Sequence, residues 1–350
     1  MARTEVQPRK PRFGVNRWFV LLFIILGFLG TLWIRPILPH IQLPAEAYNP
    51  EQPLFNILGQ PFYWTNTLTA MVLADIILIL IALVVRRAVS SGELVPKGFA
   101  GAVEALLEVI YNLTESTAGR WTKTIFPFFA TITLLVLVVN WTELIPGVDS
   151  IGILHESADH GYPIQPVLGI SGLQTIVDTG EEAAAGEAGH GYALIPFVRV
   201  LSTDLNFTVA LALIAVIMTQ VLGVRALGAS YFTKFINVGG LFSRPIFGVI
   251  DFGVGLLELI SEISKILSFS FRLFGNIFAG SVLLFVIGTL VPVFAQSIFL
   301  MLEFFVGLIQ AVVFGMLTMV FMAQATQGHG EHAEHTDEHQ EEMPIEAATI

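Results

Sequence analysis

Long apolar stretches with almost no charge are the feature that most restricts how this chain folds. Charged residues make up 13% of its 350 residues and hydrophobic residues 54%, whereas a soluble globular chain carries about 25% charged residues. The charges are crowded into short segments and leave apolar runs of about 20 residues, the length that an α-helix needs to cross a bilayer. The sequence therefore predicts an all-α polytopic membrane protein and not a soluble protein with a large core.

Six membrane-crossing elements follow from these runs. They occupy residues 18–34, 67–85, 125–145 and 205–224, and then two much longer helices at about 247–290 and 293–325. The two long helices form a hairpin that is separated at Pro292. The basic clusters at 9–17, 86–97 and 225–244 fall on one side under this count, so the positive-inside rule predicts that both termini are cytoplasmic.

The remaining segments divide the chain further. We expect a basic cytoplasmic tail, an N-terminal span, an external linker, the main membrane domain and a cytoplasmic tail rich in His and Glu, at residues 1–17, 18–34, 35–66, 67–325 and 326–350. The N-terminal span is either a retained anchor or a secretory signal segment. Basic residues precede its short apolar run, but Arg35 and Pro36 follow it where a signal would have a small-residue cleavage site.

Two segments within the main domain lie outside the predicted spans. The loop at 146–196 contains acidic residues and no Lys or Arg, so we expect it on the external side. Residues 97–120 have a helical pattern with Glu104, Glu108 and Glu115 on a partly polar face. This pattern predicts an amphipathic helix along the cytoplasmic membrane surface.

One face of the fifth predicted span carries charge over more than six turns. At about 100° per residue, its polar side chains share a sector of roughly 80°; they are Asp251, Glu258, Glu262, Lys265, Arg272 and Asn276. A charge at the bilayer centre costs roughly 2.5–3.5 kcal/mol on insertion scales, so such groups line a water-filled path or are paired. For Glu258, Glu262 and Lys265, the alternative to a path is a set of ion pairs that only holds helices together.

Arg272 differs from the other members of this stripe. It is the last basic residue of the chain, and an Arg side chain stays protonated at any relevant pH. A fixed cation in the membrane needs an anion, and the sequence offers none nearby on the same helix. The sequence therefore predicts a counter-ion from outside this helix, such as one from another subunit.

The last span continues the polar pattern more sparsely. Gln296, Glu303 and Gln310 are seven residues apart and share one helix face. Glu303 lies roughly 16 Å along this helix from Pro292, near the middle of a hydrocarbon core about 30 Å thick. A lone carboxyl there is suited to passing protons; the alternative is a protonated carboxyl that a neighbouring helix satisfies.

These residues carry a close resemblance to a known family. The segment FSFRLFGNIFAG at 269–280 resembles the signature of subunit a of F-type ATP synthases, the ATPase A chain family. NWTELIPG at 140–147 and RVLSTDLNFTVALAL at 199–213 resemble two further family segments. Lys265 and Glu258 also precede the signature Arg at the family's spacing, and the resemblance extends from about residue 68 to 325.

The resemblance implies a proton-translocating stator whose last two helices form a long, tilted hairpin against a ring of c subunits. Arg272 would attract the ionised carboxylate of each passing c subunit and block a leak between two offset half-channels. The external half-channel would include Asn276, Glu303, Gln310, Glu143, Asp204 and Asn206. The cytoplasmic half-channel would include Asp251, Glu258, Glu262 and Lys265.

The resemblance also implies partners and a location. It predicts a non-catalytic subunit without a cofactor in a bacterial inner (plasma) membrane, in contact with lipid, the c ring and the b subunits of the peripheral stalk, and indirectly with the soluble ATPase head. No Gly-rich phosphate loop with a Lys is present. The net charge of −11 does not suggest nucleic-acid binding, and the absence of cysteine excludes thiolate chemistry.

Three features depart from the family pattern. Ser281 stands where many relatives have Glu or His, so Glu303 would act without that titratable partner. The first span and the long external loop exceed the minimal pattern.

The acidic tail contains several histidines. We expect this tail to be disordered and to bind no metal. The spacings of three and four residues between His332, His335 and His339 offer a weak alternative, a metal site.

Two other functions remain as alternatives. A free-standing secondary transporter would use an intramembrane Arg–Glu pair, but such transporters often show internal repeats, and this sequence shows none. A purely structural membrane anchor would not explain a charged stripe that crosses a bilayer.

Overall fold

A computed structural model describes residues 16–33, 45–49, 52–57, 59–90, 98–157, 162–166, 173–176, 191–235, 245–290 and 294–327. The α-helices of these residues are α1 (Asn16–Trp33), α2 (Asn66–Ser90), α3 (Phe99–Ala118), α4 (Thr122–Trp141), α5 (Leu205–Leu227), α6 (Pro245–Leu290) and α7 (Phe294–Ala325). Short 3₁₀ turns precede α4 at Gly119–Trp121, extend it at Thr142–Leu144, and flank α5 at Leu201–Thr203 and Gly228–Lys234.

Local signals set the ends of α3 and α5. The Asp204 side chain caps α5 by accepting a hydrogen bond from the Asn206 N–H at 2.9 Å, which satisfies a donor that the first helical turn leaves free. Gly119 and Gly228 end α3 and α5 with φ angles of 50° and 65°. A positive φ is easily adopted only without a Cβ atom, so glycine is the residue that suits both positions.

Short strands occupy the linker and the long loop. They are β1 (Phe55–Ile57), β2 (Gln60–Phe62), β3 (Pro146–Asp149), β4 (Gly152–Ser157), β5 (Ile164–Pro166), β6 (Gln174–Ile176) and β7 (Gly191–Pro196). β1 pairs with β2 and β5 with β6, both antiparallel, and β4 lies beside β7. The sequence analysis did not predict these strands, because most are too short to show an alternating pattern.

The chain divides into two compact units. The loop unit contains Met1–Ile41, Leu154–Leu194 and Gly280–Glu303, and the helical unit contains Gln42–Ile153, Ile195–Ala279 and Phe304–Ile350. α4, α5, α6 and α7 pack together in the helical unit. The centre of this packing is fully buried, at Val136, Val200, Ala212, Leu273 and Ala311.

Small residues bring α4 and α7 close together in the helical unit. A Cβ atom at Gly315 would overlap the Thr133 side chain, and one at Gly307 would lie 3.1 Å from the Asn140 Cβ. Close backbone approach through small residues is the usual way in which helices associate in lipid, where the hydrophobic effect between helices is weak. These two glycines therefore fix α7 against α4.

The polytopic all-α prediction is confirmed. Among the described residues, five helical segments are long and apolar enough to cross a membrane, namely Asn66–Ser90, Phe99–Leu144, Leu205–Lys234, Phe252–Leu290 and Ala295–Ala325. They include five of the six predicted spans. The segment predicted at 18–34 is helical as α1, and its membrane crossing stays a prediction, as do the domain boundaries and the orientation.

The lengths of the helices are relevant to the predicted surface helix at 97–120 and to the predicted tilt of the last two helices. The segment at 97–120 is helical as α3, and it belongs to the 46-residue stretch Phe99–Leu144; its position at the membrane surface stays a prediction. α6 also has 46 residues, or about 69 Å at 1.5 Å per residue. Because the hydrocarbon core is about 30 Å thick, a straight helix of this length tilts strongly or extends beyond the core.

Candidate functional site

Arg272 lies on the exposed face of α6. Its Nη2 is 3.4 Å from the Ser268 Oγ, one turn earlier. No carboxylate in the described part of the chain forms an ion pair with it. Ser270, which lies nearly opposite Arg272 at about 160° around the helix, is buried in the helical unit. The guanidinium therefore points away from the packed helices, where an anion from another molecule can reach it.

An amide pair joins α6 and α7 one turn beyond Arg272. The Asn276 Nδ2 donates a hydrogen bond to the Gln310 Oε1 at 2.8 Å. This bond places Gln310 at the level of Asn276, about 6 Å along α6 from Arg272. Gln310 is buried, and its Nε2 has no hydrogen-bond partner among the described residues. The pair therefore presents polar groups close to the fixed cation.

Glu303 is buried in the loop unit and faces Gly280 of α6. A Cβ atom at Gly280 would overlap the Glu303 carboxylate, so a glycine is needed for this approach. The Glu303 Oε1 has no hydrogen-bond partner among the residues that the structure describes. A buried carboxyl oxygen without a donor is costly when ionised, so this position suits a group that gains and loses a proton. Ser281 is also buried in this unit.

A buried hydrogen-bonded cluster fixes α7 against α4. The Asn140 Nδ2 donates to the Gly307 carbonyl at 3.1 Å, and the Asn140 Oδ1 accepts from the Ser202 Oγ at 2.6 Å. The Trp141 Nε1 donates to the Phe304 carbonyl at 3.2 Å, and the two rings stack with centroids 4.7 Å apart. Direct bonds to backbone carbonyls set the rotation of α7, and thereby the direction in which its polar face points.

The other residues predicted for the external half-channel lie near the ends of α4 and α5. Glu143 is half-buried in the 3₁₀ turn after α4. Asp204 is buried as the cap of α5, and Asn206 is exposed in the first turn of that helix. Asp204 thus has a structural role as the N-cap of α5, independent of any role in proton transfer.

An ion-pair cluster lies on the N-terminal half of α6. The Lys265 Nζ is 2.7 Å from the Glu262 Oε1, and the Lys234 Nζ is 2.6 Å from the Glu258 Oε1. The Lys265 Nζ also lies 4.7 Å from the centre of the Phe321 ring. Of the ion pairs predicted as an alternative to a path, Glu262 with Lys265 is therefore formed, whereas Glu258 pairs with Lys234. The side chain of Asp251 lies outside the described residues, as do His332, His335 and His339.

Sequence reasoning missed Lys234, Asn140 and Ser202. Asn140 and Ser202 stand inside the two segments quoted for the family resemblance, and their polar character in apolar surroundings was an available signal. Lys234 had no local signal, because it lies outside α6 and approaches Glu258 only in the folded chain.

Asp149 is a perturbed acid outside the membrane-spanning segments. Burial raises the pKa of its carboxyl to about 6, although the Arg199 charge and a hydrogen bond from the Val200 backbone oppose the rise. Its φ of 58° is unusual for a residue with a side chain, and Asp is one of the few that tolerate it. The carboxyl is therefore a group whose charge changes in the mildly acidic range.

Comparison with known proteins gives consistent matches. A model of the family described as "ATP synthase A chain" matches residues 68–323. "ATP synthase subunit a" of Pseudoalteromonas atlantica is 32% identical over 222 residues, which are 60% of this chain and 68% of that protein. The protein of the same name from Campylobacter fetus is 27% identical over 63% of this chain and 72% of its own length. One from Geobacter sp. (strain M21) is 26% identical over 56% of this chain, and this match spans less than two thirds of the relative, 61% of its length.

Proposed function

The chain belongs to the ATP synthase A chain family, and from this membership we propose that it is the proton-translocating stator subunit of an F-type ATP synthase. The observation that carries the proposal is the exposed Arg272 guanidinium, which has no carboxylate partner among the described residues. A cation that cannot lose its proton, on a helix that crosses a membrane, requires an anion from a partner.

The partner is a ring of c subunits that carry one membrane carboxylate each. Arg272 attracts the ionised form of the passing carboxylate and holds it away from lipid. Two half-channels open to opposite sides of the membrane and meet the ring on either side of this arginine. Because Arg272 stays charged, it repels a proton or hydronium ion that would pass directly between them. Protons cross the membrane only while bound to the c-subunit carboxylates, so proton flow rotates the ring.

The external half-channel leads toward the Asn276–Gln310 pair. Glu303 is its titratable group, and Glu143, Asp204 and Asn206 lie toward its mouth. An amide pair conducts no proton by ionising, but it orders water through donor and acceptor groups. The buried Gln310 Nε2, which has no hydrogen-bond partner among the described residues, is available for this task.

The cytoplasmic half-channel follows the charged face of α6. Glu258, Glu262 and Lys265 line it, and Asp251 stands nearest to its opening. The ion pairs of this cluster support a polar surface that water reaches in part, because the side chains of Lys234, Glu258 and Lys265 are between 20% and 30% exposed. Paired carboxylates at partial exposure can exchange protons with water while they remain compatible with a membrane helix.

The subunit makes no bond to nucleotide itself. It resides in a bacterial inner membrane with both termini in the cytoplasm, is surrounded by lipid, and contacts the b subunits of the peripheral stalk. Exposed apolar side chains such as Ile79 and Leu80 of α2 support contact with lipid or with another membrane helix. The soluble ATPase head is reached through these other subunits.

Co-purification tests the proposal against a free-standing transporter. An affinity-tagged chain extracted in mild detergent is expected to bring down a c ring and a soluble head with ATPase activity. A chain that purifies alone, and transports a solute when reconstituted alone, would establish the transporter instead.

A further inference from the structure

We propose that Lys234 is a positioning residue of the cytoplasmic half-channel, which holds Glu258 and Glu262 of α6 in place from the turn that follows α5. The inference rests on the proposed function, because it concerns the geometry of that half-channel.

Lys234 lies between two carboxylates. Its Nζ is 2.6 Å from the Glu258 Oε1 and 3.7 Å from the Glu262 Oε1, while Lys265 binds the same Glu262 oxygen at 2.7 Å. The four side chains thus alternate in sign and sum to zero charge. All four are at most 30% exposed on the side chain, so water screens the ion pairs less than at a fully exposed surface.

The two carboxylates need a shared cation. Glu258 and Glu262 are four residues apart and therefore neighbours on one helix face, where like charges repel. Lys265 pairs with Glu262 alone among the described carboxylates. An ammonium group has three donors and no fixed plane, so Lys234 can serve both carboxylates at once.

The turn that carries Lys234 is firmly seated on two helices. A Cβ atom at Gly223 of α5 would overlap the Tyr231 ring, and one at Gly255 of α6 would overlap the Phe235 carbonyl. The Tyr231 hydroxyl donates a hydrogen bond to the Gln220 Oε1 of α5 at 2.7 Å. Two glycines and one buried tyrosine therefore fix the backbone from which Lys234 extends.

This arrangement leaves one carboxyl oxygen of the cluster for exchange. Both lysines approach the Glu262 Oε1, whereas the buried Glu262 Oε2 has no hydrogen-bond partner among the described residues. Lys234 therefore presents this oxygen in a defined direction, as the atom that accepts a proton and passes it on toward the cytoplasm. Besides Lys234, the titratable groups that lie near Glu262 are Tyr231, Glu258 and Lys265.

Passive proton conductance of head-stripped vesicles, prepared from the whole complex, tests the role. We expect Lys234→Gln to lower conductance about tenfold, since a misplacement of about 1 Å costs up to 100-fold, and Lys234→Arg to retain most of it. Lys123→Gln, which removes an exposed lysine of α4, is the matched control and should conduct normally. Lys234→Gln should also change how conductance depends on cytoplasmic pH and leave its dependence on external pH unchanged, which a general loss of structure would not do.

Two further measurements keep the result decisive. If Lys234→Gln fails to assemble with the c ring, the conservative variant Lys234→Arg, which keeps a cation beside Glu258 and Glu262, should assemble and conduct; a Lys234→Arg complex that assembles but does not conduct overturns the proposal. Lys234→Gln that behaves as Lys123→Gln also overturns it. Arg272→Ala tests the proposed function separately from the role of Lys234. Normal proton-driven ATP synthesis in Arg272→Ala would refute the proposed function itself, whereas abolished synthesis there, beside normal conductance in Lys234→Gln, refutes only the role of Lys234.

Discussion

A single methyl group at Gly280 should damage the external half-channel. The Cβ atom of Gly280→Ala would lie 2.6 Å from the Glu303 Cδ, where ordinary van der Waals contact begins at 3.4 Å. The carboxyl group must therefore move by about 1 Å, and a displacement of this size at a reacting group costs up to 100-fold in rate. We expect proton conductance of head-stripped vesicles, and proton-driven ATP synthesis, to fall by about tenfold or more.

The matched control for this variant is Gly253→Ala on the same helix. A Cβ atom at Gly253 meets no described atom within 4 Å, and both changes raise helix propensity by about the same 0.5–1 kcal/mol. The difference between the two variants therefore reports the contact with Glu303 and not the stability of α6. Equal conductance in the two variants, with normal amounts of assembled complex, would refute the reasoning.

Three other predictions follow from described residues and from the proposed topology. Glu303→Gln keeps the shape of the side chain but removes its ionisation, so it should reduce proton-driven ATP synthesis substantially, yet less completely than Arg272→Ala; passive conductance of Glu303→Gln equal to that of the unmutated protein would mean a structural carboxyl. Because burial raises the pKa of Asp149 from 3.8 to about 6, the folded state holds this proton more tightly. The carboxyl's contribution to stability is present below pH 3.8 and lost as pH rises to 6, a change of roughly 3 kcal/mol at most. The midpoint of unfolding should therefore fall as pH rises over this range, and Asp149→Asn should make this fall less steep. An unchanged dependence of the midpoint on pH would contradict the raised pKa of Asp149. A cysteine placed at position 155, in this cysteine-free chain, should react with an impermeant reagent on intact cells, whereas one at position 328 should react only after permeabilisation; the reverse pattern would exchange the two half-channels.

Long apolar runs predicted the membrane helices well, because lipid forces each span to satisfy its backbone internally and so leaves few alternatives. The predicted starts at residues 67 and 205 lie within a residue of the observed starts of α2 and α5. The seventh-residue spacing also placed Glu258 and Lys265 on one face, and both lie in the observed ion-pair cluster. Which residues share a face of one helix can therefore be predicted from their spacing in the sequence.

Contacts between elements were much less accessible from the sequence. Lys234 and Glu258 lie on separate segments of the chain, and no pattern on either segment shows their proximity. The capping role of Asp204 has a local signal, because an Asp directly before an apolar helical run is a preferred N-cap. Gly280 has no side chain whose chemistry could suggest a role from the sequence. Only its distance from Glu303 in the structure shows why a glycine occupies this position.

ATP synthesis driven by an imposed proton gradient, in the reconstituted complex with Arg272 changed to alanine, tests the central claim most directly. The account predicts that synthesis is abolished while the ATPase activity of the detached head stays intact, because the fixed cation that receives each c-subunit carboxylate is gone. Arg272→Lys should also fail to restore normal synthesis, since a lysine can lose its proton where an arginine cannot. Normal coupled synthesis in the alanine variant would contradict the account.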